Sequence, residues 1–84
     1  MQVTITYLGS AASFAGRTAT VLELRAPATV KEILEAAGKE CGFRFNPTAW
    51  AVFVEGRGVP PEDWDTFRIS EDCELTVLPM LSGG

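Results

Sequence analysis

Val3, Ile5 and Tyr7 alternate with Gln2, Thr4 and Thr6. A period of two sends successive side chains to opposite faces, so this stretch predicts an opening strand with one face buried. Residues 9–16, bounded by Gly9 and Gly16 and carrying Ser10 and Ser13, are small and polar and predict a hairpin loop. A second strand is expected over 18–25, with Thr20, Leu22 and Leu24 on one side and Val21 and Glu23 on the other, before Pro27 ends it. The period then changes. Val30, Ile33, Leu34, Ala37 and Cys41 recur at helical spacing, while Lys31, Glu32, Glu35, Lys39 and Glu40 fill the other faces.

Thr29 and Glu32 stand three residues apart at the start of that helix, the spacing of a capping box. Gly42 is suited to stop it, and Gly38 within it weakens it by ~1 kcal/mol relative to alanine. A helix over 29–42 would be roughly 20 Å long at 1.5 Å per residue, enough to cross a small sheet. Beyond the Asn46-Pro47 turn, residues 49–55 read as a third strand, and Gly56-Arg57-Gly58 turns it into a short fourth near Val59. Two adjacent prolines, Pro60 and Pro61, exclude regular sheet from residues 60–65, because neither can donate to a ladder. Trp64 and Phe67 are expected to anchor that segment to the core. Residues 73–79 form the last strand.

One amphipathic helix has one stripe to bury. The expected architecture is therefore α+β, a mixed sheet of four to five strands with a single main helix packed across one face. Eighty-four residues leave room for one core. Residues 1–79 are expected to form the domain and residues 80–84 a flexible tail.

Composition narrows the chemistry. Net charge is −4 and lysine occurs only at positions 31 and 39, so no basic stripe offers itself to nucleic acid. The longest apolar run, residues 49–54, is too short to span a bilayer, and strand-like residues from Gln2 leave no space for a leader. A soluble, cytoplasmic protein is expected. Histidine is absent, which removes the usual general base and zinc ligand, and no metal site is expected. Cys41 and Cys73 are too few for an iron–sulfur cluster and show no CxxC spacing; buried free thiols are expected.

The remaining chemistry lies at Gly83-Gly84. Two residues without Cβ make a thin backbone able to thread a narrow channel and carry a carboxylate into another protein's active site.

The order strand, strand, helix, strand, short strand, last strand, running into Gly-Gly, resembles the β-grasp (ubiquitin-like) fold of the sulfur carrier proteins. That family includes the small, sulfur-carrying subunit of molybdopterin synthase and the shorter thiamine-pathway sulfur carrier. The resemblance lies in the opening strand from Val3 to Leu8, in Phe14-Ala15-Gly16, in Thr29-Val30 with Ile33-Leu34, and in Leu75 to Pro79 before Leu81-Ser82-Gly83-Gly84. Three places depart from the family's habits: Glu71 to Glu74 before the last strand, Glu55-Gly56 in place of an asparagine turn, and Met80 in place of a second proline. These bear on pathway rather than on the carrier role.

The resemblance implies that the chain binds no cofactor and is a co-substrate rather than an enzyme. An E1-like adenylating enzyme would use ATP and magnesium to form a Gly84 acyl-adenylate, with Gly83 lending the slim approach. A persulfide sulfur donor protein would convert it to a thiocarboxylate for a sulfur acceptor, such as the large subunit of molybdopterin synthase. Conjugation through Gly84 to other proteins, service in thiamine or another pathway, and a plain interaction domain are the alternatives.

Ordering residues 80–84 in a partner would cost on the order of 5–10 kcal/mol at 1–2 per residue, so the folded surface must supply most of the affinity. If Val52, Val54, Leu75 and Val77 face the helix, then Phe53 and Leu78 face away. With Leu8, Met80 and Leu81 they form the expected partner-binding patch, unless residues 9–16 or 60–68 fold over it.

Overall fold

In a computed structural model of the chain, residues 1–42 and 44–80 are described. The strands are β1 (Gln2–Tyr7), β2 (Ala19–Glu23), β3 (Ala28–Thr29), β4 (Trp50–Val54), β5 (Arg57–Val59), β6 (Arg68–Ile69) and β7 (Cys73–Pro79). The helices are α1 (Ser10–Ala15) and α2 (Val30–Cys41). Five strands form one mixed sheet in the order β2-β1-β7-β4-β5, and β3 and β6 form a separate two-stranded ladder. Only the central pair, β1 with β7, runs parallel. This is the β-grasp architecture, with the predicted main helix across one face.

Alternation along each strand decides which face that is. Val3, Ile5, Leu75 and Val77 are fully buried, joined by Val52 and Val54 from β4, Leu22 from β2 and the inner face of α2 at Val30, Ile33, Leu34 and Ala37. The capping box forms with both arms: Glu32 N–H donates to Thr29 Oγ1 at 3.1 Å, and Thr29 N–H donates to Glu32 Oε1 at 2.8 Å. Gly42 ends α2 in the left-handed conformation, its N–H donating to the Gly38 carbonyl.

Residues 9–16 depart from expectation. They hold a six-residue helix, α1, instead of an open hairpin loop. Gly9 (φ 57°) and Gly16 (φ 71°) supply the reversals at its ends, and Ala11 and Ala15 enter the core. Small residues at these two positions let the short helix lie close, which their low hydrophobicity conceals. The β3–β6 ladder is also additional. It ties the start of α2 to residues 60–69, where Lys31 N–H donates to the Trp64 carbonyl and Trp64 Nε1 donates to the Val59 carbonyl at 3.0 Å. Trp64 is buried and Phe67 packs partly against the core, as anchors for that segment.

The two cysteines are free, but each is only partly buried. Cys41 lies on the last turn of α2 and Cys73 at the first position of β7.

Candidate functional site

β7 is the middle of the five strands, hydrogen-bonded along both edges. Its register pairs Tyr7 with Val77 on one side and Trp50 with Pro79 on the other. Two further bonds extend these ladders: Leu8 N–H donates to the Val77 carbonyl and Met80 N–H to the Ala49 carbonyl, both at 2.9 Å. The strand is therefore held to Met80, at the centre of one end of the sheet.

Gly9 shapes the surroundings of that end. A Cβ at this position would sit 3.5 Å from Pro79 Cδ, and its positive φ turns the chain from β1 into α1. Behind it, Phe14 meets the Trp50 ring edge-on at 5.3 Å between centroids. Trp50 faces the core, so α1 closes the core side of the sheet end and leaves the opposite face open. Residues 60–68 lie beside α2, also on the core side. Neither segment covers the outer face.

On that outer face Leu8 follows directly on β1, and the β1–β7 register continued by one residue sets it beside Leu78. Leu8 is 47% exposed and Met80 40%, while Leu78 and Phe53 are half-buried. The register places Phe53 opposite Thr76 on β7 and opposite Gly58 on β5. A Cβ at Gly58 would lie 3.4 Å from Phe53 Cε2, so the ring reaches across β5 where no side chain stands. Thr4, Thr6 and Thr76 fill the middle of the face, and the cluster of Leu8, Ala51, Phe53, Leu78 and Met80 contains no charged residue. Val21, 59% exposed, extends the apolar surface toward the β2 edge. Its alternation with Leu22 signals that position, although Val21 was not among the expected patch residues. Leu81, Gly83 and Gly84 lie outside the described residues.

The electrostatics away from this face do not resemble a reactive centre. Burial, with Glu55 and Asp72 nearby, pushes the Cys73 thiol up, away from the thiolate that nucleophilic chemistry needs. The Tyr7 hydroxyl donates to Thr20 Oγ1 at 2.9 Å and lies 3.4 Å from Cys41 Sγ, forming a hydrogen-bonded cluster beneath the C-terminal end of α2. Among the described residues no group of three or more His, Cys, Asp or Glu could hold a metal ion. Nor is any described helix long and apolar enough to cross a membrane. An open trough of about 810 Å³ runs between α2 and residues 44–47 and 61–65, on the other side of the sheet from the apolar patch.

Among the described residues Glu55 provides the one left-handed residue that is not glycine, at φ 50°, followed by Gly56 at φ 80°. This pair makes the tight turn between β4 and β5. Glu55 Oε1 accepts from Glu74 N–H at 3.1 Å while Glu55 N–H donates to the Glu74 carbonyl at 2.9 Å. The side chain thereby compensates a backbone conformation that asparagine adopts more easily.

A model of the ThiS family matches residues 5–84. No curated protein matches the chain. Among solved structures, a Pyrococcus furiosus protein assigned as molybdopterin converting factor, subunit 1, is similar at 22% identity and TM-score 0.75, over 96% of this chain and 99% of its own. SAMP1 from Haloferax volcanii is similar at 18% identity and TM-score 0.75, over the whole of both chains. The thiamine biosynthesis protein ThiS from Geobacter metallireducens is similar at 16% identity and TM-score 0.59, over 96% of this chain and 99% of its own. At these identities the likeness to the solved structures is one of fold.

Proposed function

The chain belongs to the ThiS family, and from that membership we propose that it is a sulfur carrier working through the carboxylate of Gly84. The observation that carries this reading is the family match running through Gly83 and Gly84 on a fold whose central strand leads to them. The apolar outer face beside the exit is the surface on which a partner would dock, with Leu8, Phe53, Leu78 and Met80 as its contacts and Leu81 continuing it.

A carboxylate resists nucleophilic attack because its anion is delocalised and oxide is a poor leaving group. An E1-like partner overcomes this by transferring AMP from magnesium-bound ATP to the Gly84 carboxylate, releasing pyrophosphate. A persulfide on a donor protein attacks the acyl carbon and AMP leaves. A thiol then cleaves the S–S bond of the acyl disulfide, and a Gly84 thiocarboxylate remains with a disulfide as co-product. All catalytic groups in this sequence belong to partners. The chain contributes the electrophilic carbon, the slim Gly83-Gly84 approach and the docking face.

For the acceptor we favour a molybdopterin precursor held by a large synthase subunit. The choice rests on the resemblance of the chain to the small subunit of molybdopterin synthase, since the fold likeness is equal for the Pyrococcus protein and SAMP1, at TM-score 0.75 each. The test is an intact mass after incubation with an E1-like enzyme, ATP, magnesium and a persulfide source. Replacement of one oxygen by sulfur, lost on deletion of Gly84, is expected, and sulfur transfer after addition of a large synthase subunit then identifies the acceptor. Lysine-linked adducts in cell extract would instead make the chain a protein modifier. A chain that neither gains sulfur nor loses activity without Gly83-Gly84 would be an interaction domain.

A further inference from the structure

Four large apolar side chains are exposed among the described residues, those of Leu8, Phe14, Val21 and Met80. Exposed apolar residues scattered singly are ordinary, but three of these four border the end of β7, on both sides of the sheet. Leu8 and Met80 each extend a ladder there, through their bonds to the Val77 and Ala49 carbonyls. Phe14 approaches from the core side. Its ring meets Trp50 edge-on, and Trp50 pairs with Pro79 across the sheet. Trp50 is buried, whereas Phe14 is 64% exposed. The two segments that flank the strand end, residues 8–16 and 47–52, contain no charged residue.

We propose that Phe14 is a docking residue for the enzyme that adenylates Gly84, and that this enzyme grips the strand end from both faces with an apolar collar. The proposal rests on the sulfur-carrier reading and adds a core-side contact to the outer face. Reach sets the constraint. Four residues follow Met80, and four fully extended residues span at most roughly 14 Å. The α-phosphorus of ATP must therefore come within about that distance of Met80. A site that makes an acyl-adenylate also has to keep water from hydrolysing it, so the tail enters a channel walled on every side. One wall meets Leu8 and Met80. The opposite wall meets α1, where Ala11 and Ala15 are buried and Ser10, Ala12 and Ser13 are short. Phe14 is the side chain of α1 that projects far enough to fill a socket. With no charge on either flanking segment, the rim that matches it is apolar.

Chain-dependent ATP–pyrophosphate exchange by the E1-like enzyme of the same cells tests the proposal, with the full chain varied at saturating ATP and magnesium. Phe14→Ser should raise the KM for the chain about tenfold, the loss expected for one buried apolar contact, with the maximal rate near that of the wild type. Phe14→Leu keeps an apolar side chain and should recover most of that loss. Glu71→Ala, in the bend before β7 and so at the opposite end of the strand, should leave KM unchanged. Because Phe14 also touches Trp50, a second measurement is needed that a loosened α1 would not imitate. Photoreactive benzoylphenylalanine in place of Phe14 should crosslink to the enzyme on illumination, and excess wild-type chain should compete the product away. A folded Phe14→Ser chain with wild-type KM overturns the proposal and leaves the carrier reading standing. So does the absence of a crosslink from position 14 when the same photoreactive group in place of Met80 gives one. A wild-type chain that supports no exchange removes both.

Discussion

Tyr7 offers a measurement of how dry the core is beneath the end of α2. It is the sole tyrosine of the chain, so tyrosinate absorbance reports it alone. The residue is 2% exposed, its ring stacks on Phe45 at 5.9 Å, and its hydroxyl contacts Thr20 and Cys41. Burial first, and the Cys41 thiol second, push its pKa from 10.0 to about 12, against smaller lowering effects of Thr20 and Arg17. The folded pKa lies above the unfolded one. The associated stability is therefore complete below pH 10 and is lost as pH rises through about 12, because within that window only the unfolded chain ionises. Two pH units correspond to about 2–3 kcal/mol at 1.36 kcal/mol each. Tyr7→Phe deletes this dependence. Near neutral pH the variant should be weaker by ~1 kcal/mol for the lost hydrogen bond and the exposed need of Thr20. The gap should then close and reverse as the pH climbs. Urea unfolding of both proteins at a series of alkaline pH values, with the absorbance titration of the wild type, checks it. A folded wild type whose tyrosine titrates near its ordinary value of 10.0 would refute the reasoning.

Removing the Thr29 hydroxyl in Thr29→Ala should cost ~1 kcal/mol, a fall in Tm of roughly 4–8 °C for a domain of this size, read by calorimetry. Hydrogen bonds from the Thr29 backbone first, and its side chain second, hold the Glu32 carboxyl below its ordinary value of 4.5. Its contribution is present above that value and fades as pH falls through the lowered pKa, so Glu32→Gln should flatten the acid limb of a stability profile. Leu8→Asp and Met80→Asp, both at exposed positions, should leave stability within about 0.5 kcal/mol of wild type. Each should raise the KM for charging by an E1-like enzyme, roughly 10- to 100-fold for ~1.5–3 kcal/mol of lost apolar burial. Unchanged KM in both variants would remove the outer face from the docking surface.

Much of the scaffold is written in local pattern. The two-residue period of Val3, Ile5 and Tyr7 and of Leu75 and Val77 names their buried face, and the Thr29–Glu32 spacing marks the start of α2 to the residue. The outward parity of Phe53 and Leu78 follows from the same alternation. Residues 9–16 were less legible. Their helix is stabilised by where Ala11 and Ala15 land and by glycines at both ends, rather than by any apolar stripe of its own. The two-residue strands β3 and β6 carry too few positions to show a period at all.

The sequence by itself determined the order of the five main-sheet strands and α2 and which side of each strand is apolar, and it carries the Gly83-Gly84 ending within the stretch that the ThiS family model matches. Only the tertiary structure decided that β7 lies at the centre, that α1 seats on the core side so that Leu8, Phe53, Leu78 and Met80 stay open, and that Phe14 stands on Trp50 beside the end of β7. The division has a physical cause. Periodicity is a property of consecutive residues and survives in the unfolded chain's own order. Strand neighbours and uncovered faces are set by long-range pairing and burial, which exist only once distant segments have competed for the same core.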